Sequence, residues 1–178
     1  MPIGPGTYVF GPDSATLTVR TKKGGAAAKA GHDLEIEVTR WNAKLELGER
    51  SEATLTADSS SFKVLAGTGG VSPLGAEEKA SIPKTIDEEV LKGRPIEFHS
   101  NRVEVDRGGH TVDVEGELEL FGAQRPISFK LNVGFDGRLA GAAQVKQSEW
   151  GIEPYTALFG TLKVADEVEV AIRAKTGS

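Results

Sequence analysis

The chain has 178 residues, a formal net charge of −5 and no cysteine. This length is typical of one domain, the acidic balance disfavours a nucleic-acid partner, and the missing thiols exclude disulfides, thiolate nucleophiles and cysteine-based metal sites. The first residues lack the charged and apolar regions of a signal peptide, and no segment is apolar enough to span a membrane. We therefore expect one soluble domain over residues 1–178, located in the cytoplasm.

Alternating apolar and polar residues predict a series of strands in the first third of the chain. The pattern covers residues 15–20, 34–38, 41–47 and 53–58, and each segment places its apolar side chains on one face. Successive side chains of a strand point to opposite faces of its sheet, so this period indicates half-buried antiparallel strands.

The middle of the chain interrupts the alternation. Residues 65–82 are rich in glycine and predict a long irregular loop, which in a compact domain is commonly a lid, a binding loop or disordered. Residues 85–91 have the spacing of a short helix, with acidic side chains near its start and Gly93 beyond its end.

The clearest element is a long hairpin over residues 112–133. Both halves alternate in period two, and the carboxylates of the first half must face water because burying unpaired carboxylates is costly. Gly122 supplies the permissive backbone for its turn. Asp136 and Gly137 predict a second hairpin, and a change of parity after Ser100 predicts a one-residue bulge.

These segments predict an all-β fold, an antiparallel eight-stranded barrel with one short helix between strands. Many antiparallel strands joined by short turns must close into a barrel or stack as a sandwich. One polar face on nearly every strand favours a barrel with an apolar interior, of the kind that holds one small ligand.

Four short segments resemble motifs of the YceI-like family. They are residues 31–33 (GHD), 95–100 (PIEFHS), 116–127 (GELELFGAQRPI) and 150–152 (WGI). The resemblance implies a lipocalin-like antiparallel barrel whose apolar tunnel holds an isoprenoid or other lipid chain. It also implies a binding or carrier protein of bacterial type, many relatives of which are periplasmic.

The predicted inward face carries several small side chains, which leave room for a guest. This set comprises Ala15, Ala43, Ala53, Ala57 and Gly116. An apolar void loses packing contacts unless something fills it, and each buried CH₂ contributes about 0.8 kcal/mol, so a prenyl chain needs no polar motif to bind. In the alternative interpretation, large side chains such as Trp41 fill the barrel and the protein contacts a protein partner through its 65–82 loop.

The predicted ligand-binding residues are inward apolar and aromatic side chains and one histidine. They are Val19, His32, Leu34, Ile36, Trp41, Phe62, Phe98, Leu118, Phe129, Trp150 and Phe159. His32 is interpreted either as a contact for a lipid head group at the tunnel mouth or as a histidine hydrogen-bonded at the start of a strand.

The sequence indicates no catalytic or metal site. The three histidines are far apart and lack the spacing of a zinc site, and the glycines near residue 69 lack the ending of a phosphate-binding loop. We therefore expect a non-catalytic protein with an apolar lipid as its only ligand, no cofactor, no nucleic-acid partner, no integral membrane segment, and a monomeric or homodimeric state.

Overall fold

The computed structural model describes residues 3–24, 33–68, 75–157 and 162–175. Its strands are β1 Gly6–Phe10, β2 Ala15–Thr21, β3 Lys23–Gly24, β4 Asp33–Val38, β5 Trp41–Leu47, β6 Glu52–Ala57, β7 Phe62–Thr68, β8 Ile96–Val105, β9 Thr111–Leu120, β10 Ala123–Val133, β11 Arg138–Lys146, β12 Thr156–Ala157, β13 Leu162–Val164 and β14 Glu167–Lys175. The main sheet is antiparallel and curled, with the order β1-β5-β6-β8-β9-β10-β11-β14-β2-β4-β7. A small second sheet has the order β12-β13-β3.

The all-β antiparallel prediction with a short helix between strands is confirmed, but the predicted eight-stranded barrel was wrong. The main sheet has 11 strands and curls into a half-barrel, in which β1 and β7 are the end strands and, among the described residues, are not paired with each other. Bends separate consecutive strands at three places in the first half of the chain. Residues 11–14 separate β1 from β2, residues 39–40 separate β4 from β5, and residues 58–61 separate β6 from β7. The strands on the two sides of a bend have different neighbours: β5 pairs with β1 and β6, whereas β4 pairs with β2 and β7.

Both predicted hairpins and the predicted bulge are present. The turn between β9 and β10 is the dipeptide Phe121–Gly122, whose positive φ angles of 55° and 77° match the left-handed conformation of a tight hairpin turn. Between β10 and β11, the N–H of Gly134 donates to the carbonyl of Arg138 over 2.8 Å. The register of β8 against β9 shifts between Ser100 and Arg102.

The predicted irregular stretch 65–82 was wrong for most of its length. Residues 65–68 belong to β7, and helix α1 spans Ala76–Thr85, while residues 69–74 lie outside the described residues. The helix continues as a π-helical turn, Ile86–Val90, so it begins well before the predicted start at residue 85. No residue of α1 is fully buried. Within the described part of the chain, no helix has the length and hydropathy needed to cross a bilayer.

The buried apolar residues form two clusters at different levels of the sheet. The larger cluster includes Ile3, Leu47, Val112 and Val133, and we call this region the packed end. The turns around Gly109 and Gly134 lie there, because the N–H of Ile3 donates to Gly109 and that of Val133 to His110. The smaller cluster contains Leu91, Val145, Trp150 and Ile152, and we call its region the open end.

Candidate functional site

An interior cavity of about 820 Å³ lies within the curled sheet. The inner faces of β2, β4, β9, β10, β11 and β14 line it, and the helical segment 76–90 lines it from another side. Most of the described lining side chains are aliphatic or aromatic. The volume falls within the range of about 300–1,000 Å³ that is typical of small-molecule sites.

Inward side chains along the cavity wall are less buried than inward side chains at the packed end. At the packed end, Val112 and Val114 are 0% and 1% exposed. Further along the same strand, Leu118 points to the same side but is only half-buried, as is Phe129 on the neighbouring strand. These side chains face open space instead of one another, so the sheet is hollow at this level.

Three of the five small residues on the predicted inward face create this space. Ala43, Ala53 and Ala57 line the cavity. Ala15 instead lies in the packed cluster, with 9% exposure. The room beside Gly116 is occupied by the ring of Phe98, because a Cβ there would stand 2.7 Å from Phe98 Cζ.

The helical segment supplies a wall that the sheet does not provide. Ile82, Ile86 and Val90 follow one another at intervals of four residues and all border the cavity. Helix α1 packs against the edge of β7. The segment is fixed at its far end, where Asp87 Oδ1 accepts a 2.7 Å hydrogen bond from Ser59 Oγ and Leu91 is 6% exposed.

Most polar groups that border the cavity belong to its open end. They are Thr21, Lys23, Glu78, Ser81, Thr85, Gln147 and Tyr155. Gln147 is buried and its Nε2 donates to the carbonyl of Ala165 over 3.2 Å. Thus the cavity has a polar rim around an apolar interior, as expected of a site for a long apolar molecule with a small polar head.

Lys44 and Thr54 also border the cavity, but away from that rim. They are paired across β5 and β6. Lys44 Nζ lies 2.7 Å from Glu46 Oε1, and the hydrogen bond to this carboxylate raises the pKa of Lys44 above its usual value. Its charge is therefore engaged by a neighbour on its own strand.

The structure brings together seven of the predicted ligand-binding residues on the cavity wall. They are Val19, Leu34, Ile36, Phe62, Phe98, Leu118 and Phe129. They come from six different strands, so the curled sheet assembles them from distant parts of the chain. His32 and Phe159 lie outside the described residues, and their roles stay predictions.

Of the predicted ligand-binding residues that the structure describes, two do not border this cavity. Trp150 is 3% exposed, and its Nε1–H donates to the carbonyl of Leu118 over 2.8 Å, which holds the indole against the sheet in the open-end cluster. Trp41 is 5% exposed and lies in the packed cluster. Alternation placed Trp41 on the inward face, whereas Trp150 lies in a 3₁₀ turn, Gln147–Trp150, where only the family motif marked it. Neither signal distinguishes a packed side chain from one that borders a void.

Sequence reasoning missed part of the wall. The intervals of four from Ile82 to Val90 are visible in the sequence and were the available signal for the longer helix. Gly141 and Ala143 on β11 also line the cavity. Their period-two match with Leu139 and Val145 could have added them to the small inward residues.

Comparisons with known proteins agree with this architecture. The crystal structure of Burkholderia cenocepacia BcnA is similar with a TM-score of 0.65 and 17% identity, over 89% of this chain and 94% of that chain. The structure of a Campylobacter jejuni YceI protein is similar with a TM-score of 0.55 and 12% identity, over 80% and 85% of the two chains. No match was found among curated proteins.

At these identities the two structures support the fold alone. The sequence model of the family of YceI-like domains, in contrast, matches residues 8–176, which is nearly the whole chain. The motifs near residues 95–100, 116–127 and 150–152 all lie within that match. The chain therefore belongs to the family of YceI-like domains.

Proposed function

We propose that this protein is a non-catalytic carrier that holds a long apolar lipid, of the polyisoprenoid class, inside the curled sheet. The observation that carries the proposal is the apolar cavity of about 820 Å³ within the curled sheet. An interior void costs packing energy, which a bound hydrocarbon chain restores.

The proposed ligand obtains its affinity from apolar burial. At about 0.8 kcal/mol for each buried CH₂-sized group, one five-carbon isoprene unit contributes about 4 kcal/mol before entropy losses. Several units in contact with Leu34, Leu118 and Phe129 therefore give tight binding without a charged anchor. The polar rim with Thr21 and Gln147 offers hydrogen bonds to a head group.

The shape of the wall also favours a flexible chain over a rigid compact ligand. Lining residues on β11 run from Leu139 to Val145, which is roughly 20 Å of strand at about 3.3 Å per residue. A cavity that long and only moderate in volume is narrow, and a linear chain fills it better than a globular molecule does.

The alternative function, a protein-interaction module with a filled barrel, has weaker support. The cavity contradicts its filled interior, and much of the 65–82 segment is strand and helix instead of an open loop. Leu65 is 40% exposed, but an isolated exposed leucine is common on protein surfaces.

Native mass spectrometry of gently purified protein tests the proposal. We expect a fraction of the protein to carry one lipid molecule, and extraction followed by added geranylgeraniol to restore a complex of one ligand per chain. Protein that is free of lipid after purification and that also ignores geranylgeraniol would rule the proposal out.

A further inference from the structure

The cavity ends abruptly at one level of the sheet. On β2, Leu17 borders the cavity and Ala15, the next inward residue, does not. On β10, Leu131 borders it and Val133 does not. The transition falls within a single inward step on each strand, so the cavity has a defined floor.

The floor is made of leucines from four strands. Leu45 on β5 borders the cavity while Leu47, one inward step further, is packed behind it. Leu139 on β11 completes the set, and Leu17, Leu45, Leu131 and Leu139 are all 7% exposed or less. Their outer sides are supported by the packed cluster, so the floor cannot recede without creating new voids.

The polar rim fixes which end of a lipid meets this floor. Thr21 lies four residues beyond Leu17 on β2, and Gln147 lies eight residues beyond Leu139. A lipid bound with its head group at the rim must point its tail at the leucines, because the reverse orientation would bury a polar head against aliphatic side chains.

We infer that the leucine floor sets the length of hydrocarbon chain that the protein accommodates. This inference rests on the proposed function. Each carbon added to a ligand contributes affinity until the tail reaches the floor. Further carbons then remain outside the cavity or force the chain to bend, so affinity stops rising.

The test compares Leu131→Ala with Val133→Ala. These residues lie two positions apart on the inner face of one strand, but only Leu131 borders the cavity. We would measure dissociation constants for n-alkan-1-ols in single-carbon steps and for all-trans prenyl alcohols, and record the length at which affinity stops rising. We call this length the break. Leu131→Ala removes three carbons from the floor, so we expect the break to move to chains longer by about three carbons.

The matched variant Val133→Ala should leave the break where it is in the wild-type protein. Leu131→Phe, which fills space and does not depend on the folding of a truncated variant, should move the break toward shorter chains. A break unmoved by both Leu131 variants would overturn the inference while leaving the proposed function intact. Absence of wild-type binding at every length would overturn both.

Discussion

The two ends of this curled sheet are packed differently, although the same strands run through both. At the packed end, inward side chains such as Val112 and Val114 are at most 1% exposed and belong to one continuous buried cluster. Toward the open end, Leu118 and Ile127 keep the same inward direction but stay half-buried around the cavity. Alternation thus fixes the direction of a side chain, and the size of its opposing partners decides whether the interior is solid or hollow.

This difference predicts unequal costs for the same truncation at the two ends. Leu47→Ala should lower the free energy of unfolding by about 2–5 kcal/mol, because it leaves a cavity in a packed cluster. Leu34→Ala should cost clearly less, since its side chain already borders open space. Urea denaturation of both variants with unchanged m-values measures the difference. Equal losses would show that both ends are packed alike.

Ligand binding should stabilise the two ends unequally. Geranylgeraniol at about 100 times its dissociation constant should raise the free energy of unfolding by about 2.7 kcal/mol. In hydrogen exchange, extra protection against local opening should be greatest in the strand segments around Leu34 and Leu118 and smallest near Val112, which is fully buried without ligand. A uniform gain along all strands would contradict a cavity confined to one region.

Added volume should be tolerated at one end and not at the other. Ala174→Leu forces extra carbons into the packed cluster and should destabilise by about 1–3 kcal/mol. Ala143→Leu projects into the cavity, so we expect near wild-type stability and weaker binding of geranylgeraniol. Thermal unfolding and titration calorimetry on the two variants give the comparison. Comparable destabilisation by both would mean that no usable space exists beside Ala143.

The smallest expected effect concerns acid sensitivity at the turns of each end. Hydrogen bonds from the backbone N–H groups of Thr111 and His110 lower the pKa of Asp106 at the packed end. A hydrogen bond from Ser148 lowers the pKa of Asp166 at the open end. A carboxylate with a lowered folded-state pKa contributes stability above its unfolded value, near 3.8, and loses it as the pH falls through the folded value.

Asp106→Asn and Asp166→Asn should therefore have a lower free energy of unfolding than the wild-type protein at neutral pH. This gap between variant and wild type should narrow below about pH 3.8. Urea midpoints across an acid pH series measure this gap. Asp106 is exposed and Asp166 is partly exposed, so solvent screening keeps the effect small. A gap that widens on acidification would have the wrong sign for this explanation.

Much of the fold could be predicted from local sequence patterns, but the hollow interior could be predicted only in part. Period two located the central hairpin, and Gly122 marked its turn, because both signals act between neighbouring residues. The bends between β4 and β5 and between β6 and β7 coincide with a change in the parity of the inward residues, from Val38 to Trp41 and from Ala57 to Phe62. Alternation therefore separates these strands, but it does not show which strands each one pairs with. Trp41 and Phe62 have similar patterns in the sequence, yet only Phe62 borders the cavity, because that depends on which distant side chains oppose each one.

The central claim is that the space between the leucine floor and the polar rim is unfilled by protein and open to an apolar chain. Titration calorimetry of lipid-free protein with geranylgeraniol, run in parallel on the wild-type protein and Ala143→Leu, tests it most directly. We predict saturable binding at one ligand per chain to the wild-type protein, with a loss of affinity of about tenfold or more in the variant, because at least two CH₂-sized groups of contact are displaced. Equal binding to both proteins, or no saturable binding to the wild-type protein, would contradict the account.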